Sequence, residues 1–167
     1  MKRIFVLIIA TVFAVTFVSA QTGWVDHKAD NRISLKFPSE PREVSPGSLA
    51  ANDKDSVVYI FTIVDFVQVA GIDSVALAPM KNTPEFAAQM KTGLNQSLPN
   101  VTFDDFKIGT WKGFTSYSSI GVDPQKKTYN MFMVLIGNKL YSFSTVSSDG
   151  ANMQGHDRFL NSIVLSN

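Results

Sequence analysis

The feature that most constrains the fold is a pair of long segments in which both alternate sets of side chains are mostly apolar. Residues 131–137 carry no polar side chain, and residues 57–66, VVYIFTIVDF, are rich in β-branched and aromatic residues. Successive side chains of a strand point to opposite faces of the sheet. A strand that is apolar on both faces must be covered on both faces. The sequence therefore predicts a sheet that lies between two other layers.

Shorter patterns extend this sheet. Gly137-Asn138 separates two apolar segments and predicts a two-residue hairpin turn, where a positive φ favours these residue types. In residues 33–38, apolar and polar side chains alternate, as is typical of a half-buried strand. We expect further strands in 24–29, 101–109, 110–121 and 139–148, and we interpret 45–56 as a loop or a wide hairpin end.

Helices are predicted at two places. In residues 82–100, Thr83 can cap the helix, Pro84 suits its first position and Glu85 favours its positive end. One apolar stripe recurs every four residues and comprises Phe86, Met90, Leu94 and Leu98. Near the end of the chain, Phe159, Leu160 and Ile163 indicate a short helix that packs back onto the sheet. The predicted fold class is α+β, with an antiparallel sheet of about six or seven strands and helices on both faces.

The N-terminus has the layout of an export signal. Lys2 and Arg3 precede an apolar stretch from Ile4 to Val18, and the small residues Ser19-Ala20 follow. This layout predicts a cleavable signal peptide at residues 1–20 and a single domain at 21–167. A retained membrane anchor is the alternative, but a span needs about 20 apolar residues. We expect a periplasmic or secreted protein with no stable membrane span after cleavage.

Charge and cysteine content exclude several classes of function. Of 15 Lys and Arg residues, two lie in the predicted signal, which leaves 13 against 14 Asp and Glu residues. Nucleic-acid binding requires an excess of basic residues to neutralise phosphates, so no nucleic-acid partner is expected. The chain has no cysteine, which excludes thiol catalysis, disulfide exchange and cysteine-ligated metals.

Candidate catalytic and metal-binding residues are few, and none forms a recognised motif. His27 and His156 are the only histidines, and no G-x-S-x-G motif accompanies them. Asp104 and Asp105 are predicted on one strand, where they would point to opposite faces. Residues 52–55, NDKD, offer oxygen atoms but lack the glycine and glutamate of a calcium-binding EF-hand. We predict no catalytic residue, no metal and no cofactor.

The segment 67–80 is the best candidate for an interaction surface. Its apolar residues follow no period that would bury them all, and we predict an irregular or extended segment. They are Val67, Val69, Ile72, Val75, Leu77 and Met80. One interpretation is a loop that folds over the end of the sheet. The other is an exposed apolar patch, which would mark a partner or ligand site.

The order of the segments resembles a known fold. ISLKFPSEP is followed by a long apolar strand, a helix, antiparallel strands that end in LIGNKLYSFS, and a terminal FLNSIVL. This order resembles the PsbP-like fold, which is shared by an extrinsic photosystem II subunit, a Ran-binding import factor and many exported bacterial proteins. The resemblance implies an α-β-α sandwich and a non-enzymatic, protein-facing module. No functional residue of the characterised relatives has a matching motif here.

These observations predict an exported, non-catalytic binding or accessory module of the bacterial cell envelope, whose partner is another envelope protein or a small ligand. A chaperone-like subunit of an envelope complex is the first alternative. An unrecognised hydrolase is the second, and a pocket around His27 or His156 with a shifted pKa would favour it.

Overall fold

The computed structural model describes residues 23–148 and 154–166. The predicted signal peptide at 1–20 lies outside these residues. The strands are β1 (Val25–Lys28), β2 (Ile33–Phe37), β3 (Arg42–Ser45), β4 (Ser48–Asn52), β5 (Val58–Asp65), β6 (Thr102–Phe103), β7 (Lys107–Trp111), β8 (Phe114–Val122), β9 (Thr128–Ile136), β10 (Lys139–Ser147) and β11 (Val164–Leu165). The helices are α1 (Phe66–Ala70), α2 (Ser74–Leu77), α3 (Pro84–Ser97) and α4 (Gln154–Asn161).

The main sheet is antiparallel and has eight strands. Their order is β3-β4-β5-β10-β9-β8-β6, with β7 also paired to β8. The two long apolar segments lie near its centre as β5 and β9, on either side of β10. The predicted hairpin is confirmed, because β9 and β10 are joined by Gly137 and Asn138, and Gly137 has a φ of 64°.

Each face of the main sheet is covered by a different layer. Helix α3 packs on one face with the apolar stripe predicted from the sequence, and Thr83 caps it by accepting the N–H of Phe86. The opposite face is covered by α4 and by a three-stranded sheet, β1-β2-β11. Phe159 of α4 is fully buried and lies 5.5 Å from Phe37 of β2, ring centre to ring centre. The predicted fold class, α+β with helices on both faces, is confirmed.

The two covering layers are offset from one another. The core under α3 includes Tyr117 of β8 and Met131 of β9. The core under α4 is centred instead on β5 and β10, for example on Phe61 and Phe143. A strip of β7, β8 and the start of β9 therefore lies beside α4 and is only partly covered.

Two local predictions were wrong, and two others were confirmed in an unexpected setting. Segment 45–56 contains strand β4, because Gly47 turns the chain between β3 and β4 with a φ of 75°, and β4 pairs with both β3 and β5. Segment 101–109 is interrupted, so Asp104 and Asp105 lie between β6 and β7 and not on a strand. The strands predicted at 24–29 and 33–38 are confirmed as β1 and β2, and they form the separate small sheet. The short helix predicted near the end of the chain is confirmed as α4, but Ile163 lies after its last residue, and residues 164–165 pair with β2 as strand β11.

Candidate functional site

The segment 67–80 contains most of α1 and all of α2, joined by residues 71–73, which contradicts the prediction of an irregular or extended segment for its helical residues. Asp65 caps α1 by accepting the N–H of Val67, and Asp73 caps α2 by accepting the N–H of Ala76. Gly71 ends α1 in the left-handed conformation, with a φ of 67°. Asp65 also accepts a hydrogen bond from the Asn138 side chain. Helix α1 is therefore tied to the turn between β9 and β10.

The six apolar residues of this segment have different environments. Leu77 is buried, at 1% exposure, and Ile72 and Met80 pack partly against the core under α3. The other three are exposed, namely Val67 at 47%, Val69 at 40% and Val75 at 78%. We call Val67, Val69 and Val75 the valine surface. Leu77 does not belong to it, because its side chain is part of the core.

A groove of about 230 Å³ lies beside α4, over the partly covered strip of the main sheet. Its apolar wall is formed by Ile120, Phe132 and Leu160, and its polar lining includes Asp104, Asp105, Lys107, Ser118, Asn130 and His156. Asn130 is paired with Ile120 of β8 and with Thr145 of β10 across the sheet. Directly paired residues share a face, so these side chains lie on the face that α4 partly covers.

The groove contains an enclosed amide without a partner. The Asn130 Nδ2 atom is buried and makes no hydrogen bond. Next to it on the same face, the fully buried Thr145 places Oγ1 2.9 Å from Nδ1 of His156. Burial lowers the pKa of His156, and the nearby charge of Asp157 opposes this effect. His156 is therefore held neutral at the wall of the groove.

The charged residues at the groove have different partners. The Asp105 carboxylate accepts the Lys91 ammonium of α3 at 2.7 Å, which lowers the pKa of Asp105. Asp104 is exposed and uses its backbone N–H to bond the carbonyl of Ile120. Lys107 is also exposed, and no described residue forms an ion pair with its ammonium.

The other candidate residues have structural surroundings. His27 on β1 lies with its ring 5.9 Å from that of Phe37, edge to face, and does not line the groove beside α4. In the NDKD loop, Asp53 accepts the backbone N–H groups of Asp55 and Val57 and the hydroxyl of Tyr59. Asp53 thus orders the loop between β4 and β5. Across residues 23–148 and 154–166, His, Asp and Glu side chains form no cluster of three that could hold a metal.

The sequence pointed to His156, Asp104 and Asp105 as separate candidates but gave no sign that they line one groove. It gave no sign of Asn130 or Lys107 at all. The only available signal was the pair Ser116 and Ser118, which places polar side chains on one face of β8. A polar face indicates incomplete covering, but the sequence does not show which helix lies beside it.

Comparisons with known proteins support the architecture. The solution structure of cyanobacterial PsbP (CyanoP) from Synechocystis sp. PCC 6803 aligns with 92% of this chain and 99% of its own, with a TM-score of 0.63 and 11% sequence identity. The fold is PsbP-like. No protein-family model and no curated protein matches the sequence.

A second solved structure, a crystal structure from Bacteroides thetaiotaomicron VPI-5482, covers 81% of this chain with a TM-score of 0.42 and 12% identity. This chain spans 45% of that protein. Identities this low carry no activity across, since one fold hosts many functions. The PsbP-like fold is therefore a statement about architecture. In the described part of the chain, no helix is both long enough and apolar enough to cross a bilayer.

Proposed function

We propose that the chain is an exported, non-catalytic binding module of the bacterial cell envelope, which docks onto another envelope protein through the valine surface. Export rests on the signal-like pattern of residues 1–20. The observation that carries the docking proposal is the exposure of three valines within nine residues of sequence, on two short helices whose ends are capped.

The exposure of these valines has an energetic consequence. Covering apolar surface contributes about 25 cal/mol per Å² removed from water. The capped helices α1 and α2 hold the valines in place, because Leu77 and Phe66 anchor them in the core. A partner would therefore bind a preformed surface and would lose little conformational entropy in doing so.

The charges around the valine surface favour a protein partner over a membrane. Residues 66–80 contain no Lys or Arg; Asp65 precedes the segment, Asp73 lies within it and Lys81 follows it. Anionic headgroups attract basic segments and repel acidic ones. The complementary partner surface is apolar with basic residues at its rim.

The alternatives make different use of the same features. A chaperone-like subunit of an envelope complex would also dock through the valine surface, but it would be stable only beside its partner. An unrecognised hydrolase would use His156, which has a shifted pKa and lines a groove. A triad needs a nucleophile that substrate can reach beside the histidine. The hydroxyl next to His156 belongs to Thr145, which is 0% exposed, and this geometry supports a binding module.

Site-specific crosslinking tests the proposal. A photoreactive amino acid replaces Val75 in the cells that make the protein, and the crosslinked protein is identified by mass spectrometry and purified. We expect a discrete heterologous partner, whose binding to the purified chain is lost in Val69→Asp.

The matched control places the same photoreactive group at Lys54, an exposed position in the loop between β4 and β5. Crosslinks of equal yield at both positions would contradict docking through the valine surface. A crosslink to a second copy of this chain would replace the proposed partner with a homodimer.

A further inference from the structure

The groove beside α4 encloses a hydrogen-bond donor that the fold does not satisfy. A buried polar group without a partner destabilises the folded protein, and most buried polar groups in proteins are paired. The Nδ2 atom of Asn130 is such a group, and it lies in the lining of an open groove. A ligand that presents an acceptor would remove this cost.

The other lining groups indicate which kind of acceptor fits. Lys107 adds a positive charge that no described residue neutralises by an ion pair. Asp105 is held by Lys91, while Asp104 and Lys107 are both exposed, so water and salt screen both of these charges and the buried Asn130 amide is the group that selects an acceptor. A carboxylate can accept both the amide N–H of Asn130 and the ammonium of Lys107, and hydrogen bonds to charged groups are the stronger ones.

The apolar wall and the size of the groove limit the rest of the ligand. Ile120, Phe132 and Leu160 line the groove; Ile120 is 49% exposed, and Phe132 and Leu160 are partly buried. The volume of about 230 Å³ is below the roughly 300–1,000 Å³ of typical pockets for drug-sized molecules. The matching ligand is a small molecule with a short aliphatic body.

We propose that this groove is a binding site for a small aliphatic carboxylate, whose acid group bonds the Asn130 amide and pairs with Lys107. The site is separate from the valine surface. It does not depend on the partner protein proposed above, because it can be measured on the purified protein with small probes alone.

The test uses four probes, of which three share one carbon skeleton: 3-methylbutanoate, 3-methylbutanamide and 3-methylbutylamine, with inorganic phosphate as the fourth. Binding is followed by ¹⁵N NMR at the side-chain NH₂ group of Asn130. We expect saturable shifts with the carboxylate at millimolar concentration, and a weaker response to the neutral amide. The amine and phosphate should not shift this resonance. Saturation by the amine or by phosphate in place of the carboxylate would overturn the proposal.

Variants separate binding from folding. Lys107→Gln should weaken carboxylate binding by about twofold to fivefold, the fold-change expected for the loss of an ion pair at an exposed lysine. The matched control is Lys112→Gln, at an exposed lysine outside the groove, which should leave the affinity for the carboxylate unchanged. Asn130→Asp should abolish carboxylate binding and admit the amine, because it replaces the donor with a negative charge of the same shape.

Asn130→Leu supplies the readout of stability. It removes the unpaired amide, so its melting temperature should equal or exceed that of the natural protein while carboxylate binding is lost. Carboxylate binding that survives in both Asn130 variants would overturn the proposal. So would a melting temperature that falls to the same extent in both, because the amide would then be part of the fold.

Discussion

Gly155 offers the sharpest test of how α4 is seated. It lies in the first turn of α4, directly over the side chain of Tyr59. A Cβ atom added at Gly155 would overlap the hydroxyl oxygen of Tyr59 and lie 3.1 Å from its Cζ. Tyr59 cannot move aside easily, because it is 0% exposed and donates a hydrogen bond to Asp53 at 2.7 Å. Trp24 and Phe159 pack against its ring.

The expected size of the effect follows from two opposing contributions. Replacing glycine by alanine inside a helix normally stabilises by up to about 1 kcal/mol. Overpacking a filled core costs about 1–3 kcal/mol and occasionally more. Since α4 must shift to clear Tyr59, we expect Gly155→Ala to lower the free energy of unfolding by about 1–2 kcal/mol. For a chain of this length, this corresponds to a melting temperature lower by about 2–8 °C.

A double-mutant cycle assigns the effect to the hydroxyl. Tyr59→Phe alone loses one hydrogen bond and should cost about 1 kcal/mol. In that background, Gly155→Ala should be nearly neutral, because the atom that it would overlap is gone. Urea unfolding of the four proteins measures the coupling. If Gly155→Ala stabilises the natural protein by the usual helical increment, α4 does not rest on Tyr59 as described.

Three further predictions concern other contacts. Burial lowers the pKa of His156 below its ordinary 6.5, so its contribution to stability is complete above about pH 6.5 and is lost as the pH falls through the lowered pKa. Urea unfolding at about pH 7.5 and about pH 5 should show a lower free energy of unfolding at the acidic pH, and the decrease should be smaller in His156→Gln than in the natural protein. An equal decrease in both proteins would contradict a role for His156. Asp30 accepts hydrogen bonds from two backbone N–H groups and from the Tyr141 hydroxyl. Asp30→Ala should therefore lower the free energy of unfolding by about 2 kcal/mol, and Tyr141→Phe, which removes only one of these bonds, should lower it less. Denaturant titration measures both variants, and a larger effect of Tyr141→Phe would refute this account. Leu77→Asp should abolish cooperative thermal melting, while Val75→Asp leaves it intact; similar melting of both would show that Leu77 is not in the core.

The central part of the fold follows from periodicity. Segments 57–66 and 129–136 are apolar on both alternating sets of side chains, and both became central strands with a layer on each face. Helix α3 carried its own start signal in Thr83 and Pro84 and an apolar stripe along its length. Each of these signals is local, and tertiary packing favours the same secondary structure, so the sequence alone predicts these elements.

In other parts of the chain, the fold depends on contacts between residues that are far apart in the sequence. Alternation in 33–37 predicts a strand, but it does not show that this strand joins β11 in a second sheet. Helices α1 and α2 have five and four residues, too few to display a helical period. Their capping residues, Asp65 and Asp73, were present in the sequence, but aspartate is equally common in turns. The irregular interpretation of 67–80 failed for this reason.

The location of the groove follows from how the two covering layers are offset. In β8, Tyr117 faces the core under α3, whereas Ser116 and Ser118 lie on the other face with Ile120. A strand with hydroxyls on one face gains little from a second apolar layer, so α4 packs where apolar residues continue, over Tyr59 and Phe143. Asn130 lies at the boundary, on a central strand but at the margin of the helix above it. The Nδ2 atom of the Asn130 amide is buried and has no hydrogen-bond partner, although the residue lines the groove, and this is why the proposed ligand is one that supplies an acceptor.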